Sequence, residues 1–320
     1  MKIIQAPRAS AILYRLLVGK KETKTWLLPA NICPIVPITF MKARVPFELV
    51  DISAMTLHMD LEQAEALIRK RPVGGLLYAH TYGDPQTPHD FFELVKSINP
   101  ELTLIDDRCL CIPEFETPSS ADVVLYSTGY AKIVELGSGG YAFVKDATSC
   151  PNISLEFDPE QHPQIENSYK HAIQNGTRFN YVDSSWLQTD SALPEWNKYR
   201  QQVEDALKPS LAQRAAINKI YFSNLPEEIC LPQNFQTWRF NIRLPYKEQT
   251  LKAIFAAGLF ASSHYASLAG IMSDGSAPVA GALAGEVINL FNDHHFDEQM
   301  AEQTCEIILN AKSMGMVESL

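Results

Sequence analysis

Polar side chains follow two apolar, strand-like runs in the first half of the chain. An acidic pair, Asp106 and Asp107, comes directly after the first run. Ser127 and Lys132, five positions apart, follow the second run and precede a glycine-rich turn at residues 137–140. Ligands of open α/β sheets bind at the carboxyl ends of the strands. We therefore expect these side chains to meet at one edge of a sheet.

These residue types together match the needs of pyridoxal phosphate (PLP) chemistry. A lysine amine holds that cofactor covalently, a carboxylate keeps its pyridine nitrogen protonated, and hydroxyls with backbone N–H groups bind its phosphate. Each residue alone has a more ordinary interpretation, because strand-end acids are often loop or cap residues and single lysines are usually solvated. The turn at 137–140 lacks GxGxxG spacing and leads into a strand-like run, which argues against a dinucleotide site.

The elements that must position these residues alternate between strands and helices. Near-continuous apolar runs, typical of strands covered on both faces, occur at residues 26–29, 47–51, 75–80, 102–106 and 123–126. Helical spacing occurs at residues 61–71 and 89–98. This alternation predicts an α/β fold with a mostly parallel central sheet flanked by helices.

The pattern changes after residue 144. A polar stretch reaches residue 180, and a long helix is predicted over 194–223. The final third combines a predicted strand at 238–244 with predicted helices at 247–257, 282–288 and 296–314. Since 320 residues correspond to about two domains at roughly 150 residues each, we expect a large α/β domain over 1–190 and a smaller α+β domain over 191–320.

The composition and net charge of the chain exclude several classes of function. With 27 basic and 37 acidic residues the net charge is −10, which disfavours nucleic acid and anionic membranes as partners. The longest apolar stretch, 251–272, contains a lysine, a histidine and serines, so we read it as buried core rather than a membrane span. The N-terminus carries no signal-peptide pattern, and the six cysteines form no paired CxxC units. We expect a cytoplasmic protein with reduced thiols.

Several short motifs occur in a characteristic order. They are His-Thr-Tyr-Gly at 80–83, Leu-Ile-Asp-Asp at 104–107, Ser127 through Lys132, paired glycines at 139–140, Phe-Asn-Tyr-Val-Asp at 179–183, and Ser-His-Tyr at 263–265. In this order they resemble the DegT/DnrJ/StrS family of PLP-dependent sugar aminotransferases. The resemblance implies the fold type I PLP-transferase architecture and a homodimer with its sites at the subunit interface. It also implies amino transfer from an amino acid, with glutamate expected, to a keto-sugar nucleotide.

The resemblance also implies roles for individual residues. Lys132 would hold the cofactor and then act as general base and acid, while Asp107 would face the pyridine nitrogen. Ser127 would bind the phosphate, and Asn180 would reach the phosphate of the neighbouring subunit. The remaining implied contacts are His264 and Tyr265 with substrate.

The chain also departs from the family pattern. Most of the N-terminal segment of about fifty residues, which leads to a phosphate-binding turn in the family, is absent. The Ala9 N–H and the Ser10 hydroxyl would take the place of that turn, although Ser10 is equally compatible with an ordinary helix N-cap. Cys33 aligns where many members have an aromatic ring against the cofactor, and Leu110 aligns where they have Gln or His.

These departures keep two further hypotheses open. One is a PLP-fold relative with a different reaction or acceptor, and the other is a non-catalytic binding or regulatory relative. Arg239 and Arg243, two strand steps apart, are candidates for binding a carboxylate or phosphate. Residues 293–295, Asp-His-His, are better read as a solvated turn than as a metal site, so no metal is expected.

Overall fold

The computed structural model describes residues 1–21, 23–117, 119–146 and 149–318, with side chains described up to residue 311. Seven strands form the main sheet: β1 (Lys2–Ala6), β2 (Thr25–Pro29), β3 (Phe47–Val50), β4 (Val73–Ala79), β5 (Thr103–Asp107), β6 (Val123–Ser127) and β7 (Gly140–Val144). Their order is β1-β7-β6-β5-β4-β2-β3. The run from β3 to β6 is parallel, whereas β7 pairs antiparallel with both β6 and β1. The predicted mostly parallel sheet is confirmed.

The apolar runs explain why helices cover both faces of this sheet. Neighbouring residues along a strand point to opposite faces, and here both are buried. Leu104 belongs to one buried cluster and Ile105 to the other, and Val124 and Leu125 divide in the same way. Burial on both sides is what near-continuous apolar strands require, so the layered α/β architecture follows from the sequence pattern.

Nine helices accompany the strands in the described ranges: α1 (Ala9–Lys20), α2 (Ile35–Ala43), α3 (Leu61–Lys70), α4 (His89–Ile98), α5 (Gln161–Asn175), α6 (Trp196–Asn224), α7 (Lys247–Ala256), α8 (Pro278–Glu286) and α9 (Glu298–Glu318). The helices predicted at 61–71, 89–98, 194–223, 247–257 and 296–314 are therefore observed with shifts of a few residues. No helix in these ranges has the length and apolarity needed to cross a membrane.

A second sheet lies in the C-terminal third. Its strands are β8 (Phe240–Arg243), β9 (Ala261–Ser262) and β10 (Val287–Leu290), in the order β8-β10-β9. The helix predicted at 282–288 is observed as part of α8 up to Glu286 and is wrong only at its last two residues, because Val287 and Ile288 pair with Arg243 and Ile242 in the antiparallel β10–β8 ladder. The domain boundary near residue 190 stays a prediction.

Candidate active site

The candidate site lies at the carboxyl edge of the main sheet. Strand β5 ends there at Asp107, and β6 ends at Ser127, which is paired with Gly140 at the start of β7. A cavity of about 490 Å³ opens at this edge, within the size range of small-molecule sites. Seven of the predicted site residues line it: Ala9, Ser10, Cys33, Asp107, Ser127, Lys132 and Tyr265. The structure therefore brings together most of a set spread over 257 positions, from residue 9 to residue 265.

Two predicted site residues lie outside the cavity lining. Asn180 is exposed, and its role toward a neighbouring subunit stays a prediction. His264 is also exposed, and its backbone N–H donates to Asn289 Oδ1 at 2.6 Å. Its predicted contact with substrate stays a prediction, whereas the adjacent Tyr265 borders the cavity directly.

Strand alternation separates the two acids at the end of β5. Asp107 borders the cavity, whereas Asp106 does not border it and instead contacts His80 and Arg108. The Oδ1 atom of Asp107 accepts a hydrogen bond from the backbone N–H of Cys109 at 3.0 Å. Burial raises the pKa of Asp107, although the Cys109 bonds and the Lys132 charge act in the opposite direction. A carboxylate in this position has the capacity to accept a further hydrogen bond from a cationic ligand.

Asp106, by contrast, has several close partners. Its carboxylate accepts from His80 Nε2 at 2.6 Å and from Arg108 Nε at 3.2 Å. These contacts outweigh burial and lower the pKa of Asp106. Burial also acts to lower the pKa of His80, but interactions with Cys111 and Asp106 raise it to about 10. His80, which itself borders the cavity, and Asp106 thus form a buried ion pair.

The lysine enters the cavity from the loop between β6 and β7. Ala131, just before it, has a left-handed backbone with φ of 56°, an uncommon conformation for a residue other than glycine. The positive charge of Lys132 counteracts the burial that raises the pKa values of Asp107, Cys33 and Cys109. Lys132 therefore lies close enough to interact electrostatically with Asp107, the acid that is expected to face the ring nitrogen.

The first turn of α1 forms the opposite end of the cavity. Arg8 occupies the N-cap position with extended backbone, so the alternative interpretation of Ser10 as N-cap is wrong. Ser10 instead lies in the first turn, where backbone N–H groups have no partner within the helix. A Cβ atom on Gly140 would lie only 2.6 Å from the Ala9 nitrogen, so glycine is required for this close approach. Helix α1, β7 and Ser127 together provide donors suited to an anion.

Several lining residues escaped the sequence analysis, among them four with polar or aromatic side chains at α1 and α5. Three belong to α5, in a stretch that we interpreted only as polar, and the fourth is the N-cap of α1: His162, Glu166, Tyr169 and Arg8. Arg8 Nη1 lies 3.0 Å from His162 Nε2, which links the two helices. A weak signal was available, since Ile165, Tyr169 and Ala172 follow the i, i+4, i+7 spacing of one helix face.

The two departures from the family pattern both lie at the cavity. Cys33 and Leu110 border it, so no aromatic ring occupies the position aligned with Cys33. Tyr169 and Tyr265 are among the tyrosines that border the same cavity. Tyr265 stacks on Trp238 with ring centroids 6.3 Å apart and planes 9° from parallel. Aromatic surface is therefore present in the cavity despite the cysteine.

The remaining candidate residues are engaged elsewhere. Arg239 forms a buried ion pair with Asp293, and Arg243 pairs with Glu286 at 2.6 Å. Asp293 has potential metal-ligand atoms within 4.8 Å of those of exposed His294 and His295, yet its carboxylate is bound by Arg239. We propose no anion site or metal site from these residues.

Comparison with known proteins rests on structure. No family model matches the chain, and no curated protein matches its sequence. Solved structures do match. An aminotransferase described as DegT/DnrJ/EryC1/StrS from Brucella abortus has 15% identity and a TM-score of 0.66, over 97% of this chain and 86% of its own. The chain has the fold of these aminotransferases.

Two further structures give the same result. DesI, solved in the presence of its TDP-sugar product, has 14% identity and a TM-score of 0.71, over 96% of this chain and 80% of its own. Spr1654 of Streptococcus pneumoniae, described as a sugar aminotransferase and solved in a PLP form, has 16% identity and a TM-score of 0.69. That match covers 95% of this chain and 85% of Spr1654. The PLP-transferase fold implied by the resemblance is therefore confirmed.

Proposed function

We propose that the chain is a PLP-dependent aminotransferase that moves an amino group from an amino acid to a ketone. The observation that carries this proposal is one cavity in which the amine-bearing Lys132, the buried acid Asp107 and the α1 first turn with Ser127 all border the same space. Fold alone does not determine a reaction, whereas these residues supply the groups that amino transfer needs.

The residues fit PLP at three separate points. The carboxylate of Asp107 accepts from Cys109 in a cavity where burial raises its pKa, which suits a ligand with a protonated ring nitrogen. Because Gly140 has no Cβ atom beside the Ala9 nitrogen, the N-terminus of α1 stays open to a phosphate. The rings of Tyr169 and Tyr265 provide flat apolar surface for a pyridine ring.

Each residue then has a defined task. PLP, when bound, supplies an electron-accepting ring that stabilises negative charge at the donor Cα. Asp107 keeps the ring nitrogen protonated. Lys132 would hold the cofactor through its Nζ atom and would move a proton at the donor Cα as general base and acid. Ser127, Ser10 and the Ala9 N–H bind the phosphate.

The finer assignments are also part of the proposal. Glutamate as donor and a keto-sugar nucleotide as acceptor follow from the resemblance, and DesI was solved with a TDP-sugar product. We propose a cytoplasmic homodimer in which exposed Asn180 reaches the phosphate site of the partner. His264 and Tyr265 would contact the acceptor.

A test of this function starts with absorbance spectra of the purified protein with added PLP, before and after borohydride, followed by peptide mapping. We expect a cofactor band and a single pyridoxyl-lysine at Lys132. The Lys132→Ala variant should lose covalent capture while keeping its thermal unfolding midpoint, because the side chain borders a cavity rather than the core. Label on another lysine would refute the assignment, and no band at saturating PLP would favour the non-catalytic relative suggested by Cys33 and Leu110.

A further inference from the structure

Three consecutive backbone carbonyls at the lysine each accept a hydrogen bond from a side chain outside the cavity lining. Trp238 Nε1 donates to the Ala131 carbonyl at 2.8 Å. Arg214 donates to the Lys132 carbonyl at 3.1 Å, and the Ser210 hydroxyl donates to the Ile133 carbonyl. All three donors come from residues after 190, whereas the lysine loop belongs to the main sheet. We call Ser210, Arg214 and Trp238 the carbonyl clamp.

The clamp residues are also connected to one another. Arg214 and Ser210 lie one turn apart on α6, with Arg214 Nε 3.3 Å from the Ser210 hydroxyl. Another arginine nitrogen donates to the Trp238 carbonyl and, at 2.6 Å, to Asn292 Oδ1. Arg214 and Trp238 are each only 2% exposed. A shared, buried network of this kind allows little movement of any one member.

The chemistry of Arg214 indicates that this arrangement has a purpose beyond packing. Among the residues described, no carboxylate oxygen lies within 4.0 Å of its guanidinium, and its hydrogen-bond acceptors are neutral oxygens. Burying a cation without a paired anion is costly. One of the neutral acceptors that offset this cost is the carbonyl of the cofactor lysine itself.

The residue just before the lysine is held at both of its polar backbone atoms. The Ala131 N–H donates to Glu135 Oε2 at 3.1 Å, while its carbonyl is bound by Trp238. These bonds maintain the left-handed conformation of Ala131, which determines the direction in which the following residue leaves the backbone.

We propose that Ser210, Arg214 and Trp238 are positioning residues that fix the point from which the Lys132 amine enters the cavity. The inference rests on the proposed function for its catalytic meaning. Trp238 also stacks against Tyr265, so the clamp connects the lysine to a ring that borders the cavity. Catalytic groups must be held within a fraction of an ångström of their working geometry, and loops need such external support.

The test uses Trp238→Phe and Ser210→Ala, which remove one donor each and keep most of the side-chain volume. Tyr221→Phe is the matched control, because the buried Tyr221 on the same helix donates to the Phe291 carbonyl at 2.8 Å and not to the lysine loop. We measure amide hydrogen exchange of residues 129–136, acylation of the Lys132 amine in cofactor-free protein, and the rate of PLP capture at Lys132.

Loss of one hydrogen bond should raise loop exchange by about 3- to 10-fold and slow both acylation and capture by a similar factor, with Tyr221→Phe unchanged. Faster exchange with unchanged acylation and capture would mean that the clamp is purely structural, and the inference would be wrong. Unchanged exchange would overturn it as well. If wild-type protein never captures PLP, the proposed function fails, and the acylation rates alone decide whether the clamp positions Lys132.

Discussion

The two adjacent acids at the end of β5 have opposite surroundings. Asp106 is completely buried and bound by His80 and Arg108. Asp107 borders the cavity, and the hydrogen bonds found for its carboxylate come from Cys109. The pKa of Asp106 is lowered and that of Asp107 is raised, even though their backbones are consecutive.

This difference distinguishes a polar residue that stabilises the fold from one that is available to a ligand. A fully paired buried acid stabilises the fold, because its partners replace the water that it lost. A buried acid with few partners weakens the fold unless a ligand provides the missing cation. We therefore assign the scaffold role to the region around Asp106 and the cofactor role to the region around Asp107.

The largest effect should come from Asp107→Ala. We expect turnover to fall by about 10³- to 10⁴-fold, since the ring nitrogen would lose its charge partner, while covalent capture at Lys132 remains possible. Steady-state transamination with borohydride trapping measures both. Full transamination by this variant would remove the assigned role of Asp107.

Asp106→Ala should act on stability instead. It leaves buried His80 without its carboxylate and leaves Arg108 with Glu114 as its remaining ion-pair partner, and we expect the free energy of unfolding to fall by about 3–5 kcal/mol. Denaturant unfolding of the cofactor-free protein measures this change. A loss below about 1 kcal/mol, the usual scale of an exposed ion pair, would contradict the scaffold role.

The pH dependence of stability should depend on His80. Its pKa rises from 6.5 to about 10 on folding, so its contribution to stability is complete below pH 6.5 and disappears as the pH rises to 10. Between pH 6.5 and 10, we expect the free energy of unfolding of His80→Gln to fall by about 2 kcal/mol less than that of the wild-type protein. Unfolding curves of both proteins between pH 6.5 and 10 provide the comparison, and parallel declines would exclude a charged His80.

Asp107→Asn should cause the smallest change in stability, and the direction of that change is the informative result. Since burial raises the pKa of Asp107, the ionised acid lowers stability increasingly as the pH rises from 3.8 through the raised pKa, and the cost persists at neutral pH. Asn removes the charge and keeps an oxygen for the Cys109 N–H. We expect the cofactor-free variant to gain about 1 kcal/mol, measured by thermal unfolding at pH 7.

Asp106→Asn is the control for that measurement. The pKa of Asp106 is lowered in the folded protein, so its ionised form stabilises the fold above pH 3.8 and the neutral amide should reduce stability. Opposite signs for the two substitutions would confirm the comparison. Equal signs would show that the two acids do not differ in the way described.

Local sequence patterns were sufficient to predict most strands of the main sheet. Apolar runs predicted β2 through β6, and helical spacing predicted α3, α4 and α6, because two-sided burial and one-sided burial leave different periods in the sequence. The same reasoning missed β1, since exposure along this edge strand falls steadily from Lys2 to Ala6 and gives no alternating pattern in its five residues. It also missed α5, which buries only Ile165 and Ala172.

The sequence by itself determined the fold class and the residue types of the candidate site, because strand ends, the lysine spacing and the glycine pair are local features. The resemblance implied Asp107 as the acid at the cofactor, but only the tertiary structure decided which acid borders the cavity, since a single step along β5 reverses the face. It also decided that Arg8 and α5 border that cavity and that residues beyond 190 hold the lysine loop. The three hydrogen bonds to the lysine loop join residues 77 to 107 positions apart, and no local pattern encodes such a distance.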